Sequence, residues 1–224
     1  MIAQDPRSDE IIRPILRGRD IKRYGYNFAG LYLIAAHNGI PEKGIPRVNI
    51  DDYPAIKHHL DLYWDKIATR SDKGDTPYNL RSCAYMEDFS KPKIVWGEIS
   101  DKTKFALDHN GEFVPEATTF LMTGEHLEYL LCFLNSALSE YLFSKIGTTT
   151  GVGTVRWKKY KIESIVVPKW NKAIEAALYA ITDTIEKQHL LSNSYLIDEF
   201  IFNICNLTFT ERQFVRKSIY LEES

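Results

Sequence analysis

The chain has 224 residues, enough for one large domain or a domain with a small appendage. With 44% hydrophobic and 26% charged residues it matches an ordinary globular protein, which excludes wholesale disorder, collagen and coiled coil. A net charge of −2 excludes a uniformly basic nucleic-acid coat but leaves room for a basic patch.

Further classes fall on motif grounds. Cys83, Cys132 and Cys205 are odd in number and widely spaced, so they read as reduced thiols and not as a disulfide framework. No apolar run reaches the roughly 18 residues of a membrane helix. The N-terminus has no signal pattern, so the expected location is the cytoplasm.

Taken in chain order, Leu31–Ala36 is a short apolar run expected as a strand. A helix is expected at Pro54, capped by Asp51 or Asp52, with Ile56, Leu60, Tyr63 and Ile67 on one face. The middle reads as β. Lys93–Ile99 is a strand, Thr103–Leu107 and Thr118–Met122 are its expected partners, and Asn110-Gly111 signals a hairpin. Glu125–Ile146 is expected as one helix carrying Leu127, Leu131, Leu134, Leu138 and Leu142, stopped by Gly147. Ile162–Val167 is expected as a final strand ended by Pro168.

The tail reads as helical, with stripes Ile174, Leu178, Ile181, Ile185 and Ile197, Phe200, Ile201, Ile204. A capping box over Thr210–Gln213 is expected to open the last helix. The fold class is therefore α+β: a mixed, largely antiparallel sheet flanked by helices, with a helical C-terminal tail. Charge shifts from +2 over residues 1–81 to −3 over residues 171–224. A division follows into a domain of residues 1–170 and a helical extension of residues 171–224.

Catalytic motifs are sparse. There is no Walker loop, no Gly-x-Ser-x-Gly elbow and no zinc spacing, and Gly151-Val-Gly153 lacks the third glycine of a dinucleotide fingerprint. His58 and His59 are adjacent and point apart on a helix. Asp20-Ile-Lys22 is the one carboxylate-x-Lys element, without an upstream acidic partner for a metal-dependent nuclease. DNA amino-methyltransferases carry an Asn/Asp-Pro-Pro-aromatic motif, and no Pro-Pro dipeptide occurs here. Such a chain reads as a binding or specificity module with no catalytic or metal site of its own.

Gly18-Arg-Asp-Ile-Lys-Arg-Tyr24 resembles the element that opens the TaqI-like C-terminal specificity domain of type IIG restriction–modification enzymes. Tyr53-Pro-Ala-Ile56, Arg70–Arg81, Lys91-Pro-Lys-Ile-Val-Trp96, Leu130–Ser136, Ile162–Pro168 and Ile197–Thr208 are similar to further family pieces in the same order. The resemblance spans roughly residues 11–212. It implies a target recognition domain that selects duplex DNA for an adenine methyltransferase, often fused to a nuclease. The parent serves restriction–modification or phage defence. The cofactor, S-adenosylmethionine, then belongs to the parent's catalytic domain, which this chain lacks and which becomes its partner beside double-stranded DNA. The alternatives are a cryptic nuclease using Asp20 and a protein-interaction subunit that does not bind DNA alone.

Three basic segments are candidate DNA contacts. Arg17, Arg19, Lys22 and Arg23, with Arg13, suit phosphate neutralisation or else cover a joint to the catalytic domain. Arg70, Lys73 and Arg81 lie in a polar loop and suit base readout, unless Asp72 and Asp75 pair with them. The third, Gly147–Lys161, offers Thr148, Thr149, Thr150, Arg156, Trp157, Lys158 and Lys159 for clamping and readout. Its bland counterpart is a hairpin with Trp157 turned into the core.

Overall fold

The computed structural model describes residues 1–150, 154–188 and 194–220. They form two units, each assembled from discontinuous segments: residues 1–15, 30–91 and 110–114 in the first, and residues 16–29, 92–109 and 115 onward in the second. The α+β class expected from the sequence is what the chain adopts. The sheet, however, is divided into four small, mostly antiparallel pieces among the described residues.

In the first unit, β1 (Ile12–Leu16) pairs antiparallel with β4 (Tyr32–Ile34), Ile12 opposite Ile34, and β8 (Val114–Pro115) lies on its other side. Ile11, Ala36, Ile50, Tyr53 and Ile56 form its core, with Ile34, Val48, Leu60 and Tyr78 packed around them. The helix expected at Pro54 is present as α1 (Pro54–Asp61), with proline in the first turn, where its missing N–H costs nothing. Its cap differs from expectation. Asn49 accepts from the Asp51 N–H and closes a 3-10 turn ahead of the helix, while Asp51 pairs with Lys57 at 2.5 Å. The helical face breaks after Asp61, and a second helix, α2 (Trp64–Thr69), follows.

The second unit is built on β5 (Lys93–Gly97), buried at every position and flanked by β7 (Phe105–Asp108) and β9 (Thr119–Met122). Registers run Val95 opposite Ala106 and Leu121. Both expected partners of this strand are thus found, but Asn110-Gly111 closes no hairpin between them, because each pairs with β5 instead. Gly111 sits at φ 66°, and a Cβ there would lie 2.4 Å from the Ser90 carbonyl. Two smaller sheets complete the unit: β2 (Ile21–Lys22) with β3 (Gly25–Tyr26), and β6 (Ile99–Ser100) with β11 (Val155–Arg156) and β10 (Thr148–Thr149).

The helix expected over Glu125–Ile146 is two helices, α3 (Leu127–Leu134) and α4 (Ala137–Ile146). Buried Asn135 makes the break. Its amide accepts from the Phe105 N–H (3.1 Å) and donates to the Phe105 carbonyl (2.9 Å), satisfying a strand residue that the sheet leaves open. Ser136 then caps α4, and buried Asp198 accepts from the Ala137 N–H at 2.7 Å.

Residues 163–168 form no strand. After the single helical turn α5 (Lys159–Ile162), Ile165 and Val167 pack inward as irregular chain, and Tyr129 donates to the Pro168 carbonyl. The tail consists of α6 (Lys172–Gln188), α7 (Ser194–Ile204) and α8 (Phe209–Tyr220). Ile174, Leu178, Ile197, Phe200, Ile201 and Val215 from these helices share one core with Tyr129, Phe133 and Ala137. The capping box lies two residues earlier than expected: Thr208 and Glu211 bond reciprocally, with both Thr208 donors 2.7 Å from Glu211 Oε2. The side chain of Ile185, expected in the first tail stripe, lies outside the described residues. No helix among the described residues is long and apolar enough to cross a membrane.

Candidate nucleic-acid interface

The first wall of the site is the turn Arg17–Asp20. Asp20 is buried and accepts three bonds from Arg17: the backbone N–H at 3.1 Å, Nε at 2.8 Å and Nη2 at 2.7 Å. This fork holds the Asp20 carboxyl below its ordinary range and leaves Arg19 pointing to solvent. Lys22 is exposed and donates to the Arg19 carbonyl at 3.2 Å. Gly18 faces Gly97, and a Cβ on Gly97 would sit 3.0 Å from the Gly18 Cα. Close backbone approach, more than turn geometry, is therefore what Gly18 supplies.

The second wall begins at Glu98, the single residue between β5 and β6. Its N–H donates to the Thr118 carbonyl (2.9 Å), and its own carbonyl accepts from the Trp157 N–H (2.7 Å). The side chain reaches Arg156 Nη1 at 3.0 Å and Lys158 Nζ at 2.5 Å through one oxygen. Those two cations, Lys158 first, hold the carboxyl below its usual range. In the small sheet Arg156 stands opposite both Thr148 and Ile99, so these three side chains project from one face, and all are exposed. Between the walls lies an open cleft of about 560 Å³, with Arg17, Arg19 and Arg156 facing Glu98, Glu116 and Thr118.

The sequence candidates divide accordingly. Arg17, Arg19 and Arg156 meet at the cleft, with Thr148 and Lys158 beside it. Arg17 is committed to Asp20. Arg23 is turned inward, donating to the Asn135 carbonyl. Trp157 is core: it is 3% exposed and stacks on Phe143 with centroids 3.8 Å apart. Thr149 is exposed, whereas Thr150 closes its own loop by bonding the Thr154 backbone. Lys159 is exposed beside Glu163. Residues 151–153 of this expected loop lie outside the described residues.

Arg70, Lys73 and Arg81 belong to the first unit. Arg70 donates to the carbonyls of Pro77 and Asn79, and Lys73 to that of Ala68, so both brace the loop from within, while Arg81 is exposed. The pairing weighed for Asp75 is with Arg47, at 3.5 Å, and not with this loop's cations. Gly97, Glu98, Ile99, Glu116 and Thr118 escaped the sequence reading. The one available signal was the Gly-Glu pair interrupting an apolar strand.

A family model described as the TaqI-like C-terminal specificity domain matches residues 13–167. The chain belongs to this family. No curated protein matches it. Among solved structures, the fold is similar to that of the type IIL restriction-modification enzyme MmeI, determined in complex with DNA. The TM-score is 0.62 at 13% identity, covering 99% of this chain and 32% of that one. This chain thus spans about a third of that enzyme's length, and the likeness is one of fold.

Proposed function

We propose that this chain selects the duplex DNA sequence on which a restriction–modification enzyme acts. The observation that carries the reading is the cleft of the second unit, lined by Arg19 and by Arg156, which stands between Thr148 and Ile99 in one exposed row. Cations at the rim neutralise phosphates and fix register, which carries affinity but little sequence information. Arg156 and Thr148, standing on a paired ladder, are placed to read base edges, and Ile99 supplies an apolar contact of the kind a thymine methyl takes. Arg81, exposed on the first unit, is a separate candidate for a DNA contact. The MmeI structure, solved on DNA, is consistent with this reading at the level of fold.

Chemistry is assigned to the partner. A catalytic domain or subunit binding S-adenosylmethionine and methylating adenine, of the type IIG kind and serving phage defence, completes the enzyme in the cytoplasm. The residues here position DNA and perform no bond-making step. A nuclease centre at Asp20 has little to support it, because Arg17 takes both carboxylate oxygens.

Fluorescence anisotropy on a randomised duplex pool at two salt concentrations tests the reading. Wild type should bind with a steep salt dependence. The triple variant Arg156→Ala, Lys158→Ala, Lys159→Ala should flatten the log–log slope by about 0.9 for each of these cations that contacts a phosphate on the pool. Equal slopes would move the interface elsewhere. No binding by wild type at low salt would favour a protein-interaction subunit.

A further inference from the structure

A carboxylate in the wall of a DNA-facing cleft works against phosphate binding, so the placement of Glu98 needs a reason. Its position is fixed. The backbone is held on one side by Thr118 and on the other by Trp157, and the side chain is only 21% exposed. From there one oxygen takes both Arg156 and Lys158, which are themselves 45% and 37% exposed. Ion pairs this open to water contribute little net stability, because solvent screens them and two long side chains must be ordered. The arrangement is therefore a poor staple. It does occupy two of the cations that a phosphate would need, and it does so with an anionic oxygen, as a phosphate would.

We propose that Glu98 is a specificity-determining residue that suppresses binding to unspecific DNA by holding Arg156 and Lys158 until a cognate site offers better acceptors. The inference rests on the DNA-recognition reading above. On random DNA, each phosphate contact by these side chains must first displace Glu98 and then tolerate its charge nearby. On a cognate site the base-edge contacts of the same cleft offset that displacement. Discrimination then comes partly from a built-in competitor, a repulsive element directed at the wrong ligand.

The test compares wild type, Glu98→Gln, Glu98→Ala and Glu98→Asp as full chains against the randomised duplex pool across a salt series, with thermal melts to confirm folding. Glu98→Gln and Glu98→Ala should bind the pool roughly three- to tenfold more tightly at low salt, with a log–log slope steeper by about one to two. Glu98→Asp keeps the charge and should stay near wild type. Damage to the fold lowers affinity, so it cannot imitate this gain. If wild type binds and the Arg156, Lys158 and Lys159 alanine variant binds less, but the Gln and Ala variants match wild type in affinity and slope, Glu98 has no such role. Absence of binding in wild type and all variants alike would instead overturn the DNA reading itself.

Discussion

At the scale of single residues, side chains that look functional in the sequence do structural work, and the reverse also holds. Trp157 sits in a basic run yet fills the core against Phe143, and its ring N–H and backbone carbonyl bond Ser100 and Trp96. Trp157→Ala should cost about 3–5 kcal/mol of stability by opening a large cavity, read as a lowered urea midpoint. Asn135→Ala should cost about 1–3 kcal/mol in the same assay, since it leaves the buried Phe105 N–H without its acceptor and the Phe105 carbonyl with the Tyr24 N–H alone. Asp20 supplies a pH signature. Its folded carboxyl titrates below the unfolded value, so the Arg17–Asp20 fork contributes fully above the ordinary carboxylate range. That contribution is lost as pH falls through the depressed folded value. Asp20→Asn should therefore lower stability at neutral pH and flatten the acid limb of the urea-midpoint profile. A full-size acid limb in the variant would assign that limb to other groups.

At the scale of elements, legibility followed periodicity. The apolar run of β5 and the leucine-rich segment of α3 and α4 were readable because burial imposes a pattern on many residues at once. The break at Asn135-Ser136 was not, because it depends on the peptide group of Phe105, thirty positions away. The segment 162–167 has strand composition, but Ile162, Glu163, Ser164 and Ile165 bond back along the α5 turn, and among the described residues the segment pairs with no strand. The basic clusters were visible as charge. Which cations reach the cleft was not, since the partners Asp20, Glu98 and the Asn135 carbonyl become neighbours of Arg17, Arg156 and Arg23 only through local geometry or folding. The Gly18–Gly97 contact gives a direct test of how closely the two walls meet. Gly97→Ala should destabilise by about 1–3 kcal/mol, because backbone and not a flexible side chain stands at 3.0 Å. Gly25→Ala, with open space around its Cβ, should be near neutral; equal effects would mean that the contact is unimportant.

At the scale of the whole molecule, the tail helices share a core with α3 and α4 of the second unit. Cutting the chain at residue 170, the boundary suggested by charge, would strip Phe133, Ala137 and Tyr129 of Ile174, Leu178, Ile197 and Ile201. The truncated protein should bind a hydrophobic dye and lose its cooperative melt, whereas a sharp melt would mark residues 171–224 as a separable extension. The two units also exchange the chain five times, at Ile15/Leu16, Ala29/Gly30, Lys91/Pro92, His109/Asn110 and Val114/Pro115. That interleaving constrains how such a protein can change over generations. A recombination event with one breakpoint anywhere between Leu16 and Val114 leaves both units as hybrids of two parents. On the proposed reading, a new binding preference then calls for substitution at exposed positions such as Thr148 and Arg156, or for inheriting the whole domain at once, because trading one unit for another needs several breakpoints.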